Sequence, residues 1–260
     1  MRDEGGMARE DRNGPAGHVG LAIEVIQRLA SLRRAGAGKL QQSMIDRLVA
    51  AVCTADNAAV PDILEGFRKA RVPVDAVVSD YIPAAARALG EAWEEDRLTF
   101  GLVTIGTARL QAMLRQLQAE QRADAADPDA TAAVLVLIPP GEQHTLGAMV
   151  AASMLRRRGV SVKVEIAPSV TDLSHLTAER RFDAVLVTLG STDRLETCAK
   201  LVKTLKQITK GALRVAIGGA VVESCRDMLT ESGADLVTND VNTVISEFGL
   251  NDKMAERNAG

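Results

Sequence analysis

Nine consecutive residues hold most of the chemistry available to this chain: Pro139-Pro140-Gly141-Glu142-Gln143-His144-Thr145-Leu146-Gly147. The loop presents one imidazole, His144, two residues after a carboxylate, Glu142. A metal-bound histidine usually donates its second ring N–H to a carboxylate, which fixes the tautomer and makes the ligating nitrogen more basic. Glu142 and His144 have the residue types for that work, with His144 as the metal ligand. By themselves the two residues fit a solvated loop histidine better. Their setting adds weight. An apolar run, Val134-Leu135-Val136-Leu137-Ile138, precedes the loop, and a helix-like stretch from Leu146 to Arg158 follows it. Two prolines without N–H groups stop the strand, and Gly141 lets the backbone turn.

The bulk composition narrows the functions this loop could serve. Apolar residues make up 47% of the 260 residues and charged residues 25%, as in ordinary globular proteins. A formal net charge of −3 gives no basic field toward nucleic acid or anionic lipid. Aromatic residues are 2% of the chain, so platforms for base stacking are absent. No apolar run reaches the roughly 20 residues needed to span a bilayer. The first residues are polar and charged, unlike a signal peptide. Cys53, Cys198 and Cys225 are scattered and form neither a disulfide framework nor a zinc pattern. The expectation is a reduced, cytoplasmic protein with no membrane contact and no direct nucleic-acid binding.

Residues 1–18 read as a disordered tail, rich in Gly and charge. From Val19 the apolar spacing turns helical. Ile23, Ile26, Leu29 and Ala30 form one stripe; Met44, Ile45, Leu48, Val49 and Val52 a second; Val60, Ile63, Leu64 and Phe67 a third. A fourth helix opens at Pro73 with Val77, Val78, Tyr81, Ile82, Ala85, Leu89 and Trp93 inward, and a fifth runs from about Phe100 to Leu117. Five helices with short connections over 19–118 predict a bundle. An Ala/Asp-rich linker is expected over 119–131.

After it, strands alternate with helices over 132–250, with a short tail at 251–260. The strand-like runs are Ala133–Ile138, Val160–Ile166, Ala184–Leu189, Leu213–Ile217 and Leu236–Thr238. The first, third and fourth are almost wholly apolar, while the second alternates and belongs at an edge. Strict β–α repetition predicts an α/β, doubly wound, five-stranded parallel sheet of the flavodoxin-like type. In the usual order 2-1-3-4-5, strands 1, 3 and 4 are neighbours, and ligands sit beyond their C-terminal ends. The His144 loop follows strand 1; Thr188-Leu189-Gly190-Ser191 ends strand 3; Gly218-Gly219 ends strand 4. Small residues at two of these ends predict a slot for something long and flat. Helix capping is the competing role for any one of the glycines.

The loops together resemble cobalamin-binding domains of the base-off, histidine-on type. Their pattern is Asp-x-His-x-x-Gly, about 41 residues, Ser-x-Leu, about 27 residues, Gly-Gly. Here Glu142-x-His144-x-x-Gly147 is followed after 40 residues by Thr188-x-Gly190, and after 27 more by Gly218-Gly219. The resemblance implies that His144 is the lower axial cobalt ligand. Glu142, Gln143, Thr145, Leu146 and Gly147 would share its loop around the cofactor. The nucleotide tail would lie by Thr188, Gly190, Ser191, Gly218 and Gly219. Departures are Glu for Asp at 142, Thr for Ser at 188 and Gly for Leu at 190.

In related proteins a helical cap covers the corrin's upper face and carries Trp, nine residues, Glu-His. Trp93 matches, but positions 103 and 104 are Val and Thr. In light-responsive transcription factors of this kind a histidine follows the tryptophan directly; here it is Glu94. A core aromatic is the competing role for Trp93. Over about residues 40–248 the chain is most similar to the stand-alone AerR/PpaA antirepressors of photosynthesis genes. That implies a non-enzymatic, light- or redox-responsive regulator that contacts a transcriptional repressor. The alternatives are a corrinoid carrier for a methyltransferase system, which would share the same bundle and sheet, and a haem-binding sensor on the same fold.

Overall fold

The computed structural model describes residues 41–56, 58–122 and 132–251. The expected first helix, the tail at 1–18 and most of the linker and of the C-terminal tail lie outside them. From Ser43 onward the chain forms one compact unit.

The helical part follows the apolar stripes. Helix α1 (Gln42–Cys53) buries Met44, Ile45, Leu48, Ala51 and Val52, a spacing of three and four that turns one face inward. Helix α2 (Ala59–Lys69) buries Ile63, Leu64 and Phe67. It ends ahead of Pro73, where Arg71 takes φ 53°. Helix α3 (74–94) is continuous but not uniform. Val74–Ala76 leads into a π-helical turn, Val77–Tyr81, and then into Ile82–Glu94. The π turn ends two residues before Pro83, which has no N–H to continue the α ladder; the Ile82 N–H between them reaches back five residues to the Val77 carbonyl. Its stripe then runs Ile82, Ala85, Leu89 and Ala92, so Trp93 points away from the core, contrary to the sequence expectation. Ala85 to Trp93 is eight residues, about 80° off a whole number of turns, whereas Ala85 to Ala92 is about 20° off.

Helix α4 (Phe100–Arg122) buries Leu110, Met113, Leu114 and Leu117. It outlasts the expected linker boundary at 119, because Ala119, Glu120, Gln121 and Arg122 are strong helix formers.

The sheet has the expected order, β2-β1-β3-β4-β5, with every pair parallel. Its strands are β1 (Ala132–Ile138), β2 (Val160–Ile166), β3 (Ala184–Thr188), β4 (Arg214–Gly218) and β5 (Leu236–Val237). β3 is buried throughout and β2 half-buried, as central and edge strands should be. One face of the sheet, including Leu135, Leu137, Val185, Val187 and Ile217, packs on α6 (Val170–Glu179), α7 (Leu195–Ile208) and α8 (Val222–Glu231). The other face, with Val134, Val136, Ile138 and Leu186, packs on α5 (Leu146–Arg156) and α9 (Val241–Glu247). Helix α5 belongs to two cores. Ala148, Ala152 and Leu155 meet the sheet, while Leu146 and Val150 join the core of the helical bundle. Among the described residues no helix is long and apolar enough to cross a membrane.

Carboxylates tie neighbouring strands at their starts. Asp183 accepts the Ala133 N–H at 2.8 Å. Asp235 accepts the Val215 N–H at 2.6 Å and pairs with Lys206.

Candidate functional site

The loop after β1 is shaped by its main chain. The Glu142 N–H closes a turn onto the Pro139 carbonyl at 3.1 Å, with Gly141 at φ 79°. The Arg194 guanidinium covers Gly141, its Cζ 3.1 Å from where a Cβ would stand. Past this turn the Glu142 side chain is 1% exposed. It does not dangle. Oε1 accepts the His144 main-chain N–H at 2.8 Å and meets His144 Nδ1 at 2.6 Å. Oε2 accepts the Gly190 and Ser191 N–H groups at 2.8 and 3.1 Å. One carboxylate thus fastens the β1 loop to the β3 loop.

Burial alone would raise the Glu142 carboxyl's pKa, but the hydrogen bonds from His144 and Gly190 outweigh it and hold the group below its ordinary range. An ionised carboxylate only accepts hydrogen bonds, so Nδ1 of His144 carries the proton in their contact. That leaves Nε2 with its lone pair, on a side chain that is 66% exposed. Glu in place of Asp therefore still orients the imidazole, and its extra methylene carries the second oxygen to the β3 loop.

The loop is also held from the helical side. Gln111 on α4 donates to Thr145 Oγ1 at 3.0 Å, one residue before α5 begins at Leu146. Leu146 is buried in the bundle core, while Gln143 and Gly147 are exposed.

The three strand ends do converge. Thr188 pairs with Gly218 across β3 and β4, and the Leu189 N–H donates to the Gly218 carbonyl at 2.8 Å. The expected slot, however, is not empty space. A Cβ on Gly190 would stand 2.4 Å from His144 Cβ, and one on Gly219 would stand 2.0 Å from the Leu189 carbonyl oxygen. The missing side chains are replaced by neighbouring chain. Gly219, at φ 124°, is further fixed by its N–H to Asn239 Oδ1 at 2.7 Å. Thr188, expected to line the slot, is buried, and its hydroxyl donates to the Leu137 carbonyl at 3.5 Å.

Gln111, Arg194 and Asn239 were not legible as site residues. Asn239 follows β5 at the same edge of the sheet and could have been found by that rule; Gln111 carries no such signal. Trp93 is not brought to the loop by any contact. It is 50% exposed and packs edge-on against Phe100, itself 72% exposed, with ring centroids 6.4 Å apart. The core reading of Trp93 is therefore incorrect. His175 is exposed and Cys225 buried.

Residues 132–247 match the B12 binding domain family. Over 188 residues the chain is 55% identical to a 20.5 kDa protein of Rhodobacter capsulatus from the bchF–crtJ intergenic region, covering 72% of this chain and 98% of that one. The chain belongs to that protein's family. The stretch that matches the B12 binding domain family is the one that holds the sheet. The fold is similar to that of the Methanosarcina barkeri monomethylamine corrinoid protein, with a TM-score of 0.64, 14% identity, and coverage of 83% of this chain and all of the other.

The donor set suits such a cofactor. Among the described residues no group of three His, Cys, Asp or Glu side chains converges to hold a bare ion. A single oriented imidazole instead suits a metal that brings its own ring of equatorial ligands. Within the matched stretch, His144 offers such an imidazole, its Nδ1 against Glu142 and its side chain exposed.

Proposed function

We propose that this cobalamin-binding protein is a non-catalytic regulator that passes a signal from its cofactor to a transcriptional repressor. One observation carries the reading. The Glu142–His144 pair fixes a ligating nitrogen at the strand ends, and the same loop is bonded to the helical bundle through Gln111 and Thr145. Bound cobalamin would supply a cobalt centre with a ligand that light or redox change can exchange. The residues of this chain do the rest. His144 Nε2 would hold the metal, Glu142 would keep the ring's tautomer and direction, and the strand ends at Thr188, Gly190, Ser191, Gly218 and Gly219 would border the nucleotide tail. Trp93 and Phe100 offer exposed aromatic surface on the helical side to face the corrin. A change there alters the helical surface offered to a partner. Such a switch needs a few kcal/mol of differential affinity between two states. The position of the Rhodobacter relative between bchF and crtJ supports a place among photosynthesis-gene regulators.

The fold shared with a methylamine corrinoid protein supports a second reading, a carrier that hands a methyl group to a partner enzyme. One experiment separates the two. Protein loaded with adenosyl- or methylcobalamin is kept dark or illuminated, and its affinity for the repressor is measured. A regulator changes affinity with light. Equal affinities in both states, together with demethylation by a thiol-dependent methyltransferase, would establish the carrier. Absorption spectra with cobalamin and haem side by side decide the cofactor.

A further inference from the structure

We infer that Gly190 is the positioning residue that seats the His144 imidazole, a role separate from any contact it makes with the cofactor's tail. This rests on the cobalamin reading above and refines it. The related pattern carries a leucine at this position, and here the side chain is absent altogether.

Three distances define the seat. A Cβ at 190 would lie 2.4 Å from His144 Cβ, 2.5 Å from Cγ and 2.8 Å from Nδ1. Real Cβ atoms do not approach heavy atoms so closely, and the atoms met are the root of the ring, not a flexible tip that could turn aside. Any side chain at 190 must therefore displace the imidazole or the loop beneath it. The same residue also contributes its N–H to Glu142 Oε2 at 2.8 Å. Gly190 thus holds the carboxylate with its amide and clears room for the ring that the carboxylate orients. With the ring seated, Nδ1 faces Glu142 at 2.6 Å and Nε2 is left free for a metal. Conformational freedom is not the reason for glycine here, because its φ is not in the left-handed region. The requirement is space. Neighbouring Gly147 provides the contrast: a Cβ there meets nothing within 4 Å, and its φ is likewise ordinary.

The test compares Gly190→Ala, Gly66→Ala, His144→Gly and the double variant His144→Gly/Gly190→Ala, each as the full chain. Two readings are taken. Nitrogen-15 NMR of the cofactor-free protein reports the His144 tautomer, and absorbance titration with hydroxocobalamin reports affinity and axial ligation. Gly190→Ala is expected to lose the single-tautomer Nδ1–H signature and to bind at least about tenfold more weakly, the size of effect typical for residues that orient a metal ligand. Gly66→Ala on α2, where a Cβ meets nothing nearer than 3.5 Å and φ is ordinary, is expected to match the parent in both. In the His144→Gly background, Gly190→Ala should cost nothing further, because all three atoms that its Cβ would meet are gone; this holds even if the single variant folds poorly, since the double variant then recovers the circular dichroism of His144→Gly. The inference is overturned if Gly190→Ala keeps the parent tautomer and affinity, binds more tightly, or weakens binding equally with and without His144. If no variant, nor the parent, binds hydroxocobalamin while the tautomer still changes on Gly190→Ala, the seat stands and the cofactor reading falls.

Discussion

Glu142 and Asp235 occupy opposite ends of the same sheet and solve the same problem differently. Each is a carboxylate that accepts main-chain N–H from a neighbouring strand or loop, Glu142 buried and Asp235 partly exposed. Each is held below its ordinary pKa although burial alone would raise it. Asp235 is neutralised by Lys206, so its charge is spent within the scaffold. Glu142 has no such cation; its fourth hydrogen bond goes to an imidazole whose other nitrogen faces outward. A carboxylate that closes an ion pair stabilises. One that leaves its partner unfinished presents a ligand.

Breaking the unfinished pair should give the largest effect. His144→Ala is expected to weaken hydroxocobalamin binding by about 100-fold or more and to abolish the histidine-ligated absorption spectrum; removing an orienting partner alone costs 10–100-fold, so removing the ligand should cost at least as much. A spectrum unchanged from the parent would remove His144 from the metal. Glu142→Gln comes next, with affinity lower by about 10–100-fold, because its amide NH2 would confront the Gly190 and Ser191 donors. Asp235→Asn is the matching control at the other end of the sheet. It should leave cobalamin affinity unchanged and lower stability by about 1 kcal/mol, the ion pair being partly screened by solvent. Calorimetry of both variants beside the titration checks the distinction.

The acid limb sharpens the same comparison. Above the ordinary values of 4.5 for Glu142 and 3.8 for Asp235, both groups are ionised in the folded and unfolded chain, and their stabilisation is fully present. As pH falls below those values the unfolded chain binds protons first, so stability declines until the folded values are passed. The cofactor-free protein should therefore lose melting temperature from about pH 5 downward, and Asp235→Asn should make that decline shallower. The smallest effect is expected at Trp93. Half-exposed and outside both cores, Trp93→Ala should change stability by no more than about 0.5 kcal/mol by thermal melting. A large loss would return the side chain to a packing role.

Much of this arrangement was legible in the sequence. The apolar runs of β1 and β3, the alternation of β2 and the turn chemistry at Pro139–Gly141 are local signals, and together they predict the sheet order and the loop that carries His144. What escaped notice depends on contacts across long stretches of chain. Nothing near Glu142 announces that its second oxygen meets amides at 190 and 191, because that bond spans 48 residues and exists only after β1 and β3 pair. The glycines at 190 and 219 looked like vacancies, yet each admits a close neighbour, His144 in one case and the Leu189 main chain in the other. Trp93 lies at the margin of its helix's apolar stripe, four residues past Leu89 but about 80° off the line through Ala85, and the buried place there goes to Ala92.

Helix α5 begins one residue beyond the Gln111 tether and is gripped on two sides, by Leu146 and Val150 in one core and by Ala148, Ala152 and Leu155 in the other. Closely packed interiors yield little to sliding. A pull on the imidazole therefore has no compliant helix to dissipate it. The six-residue bend from Pro139 to His144 turns with the ring as one stiff piece, or else both cores register the movement together.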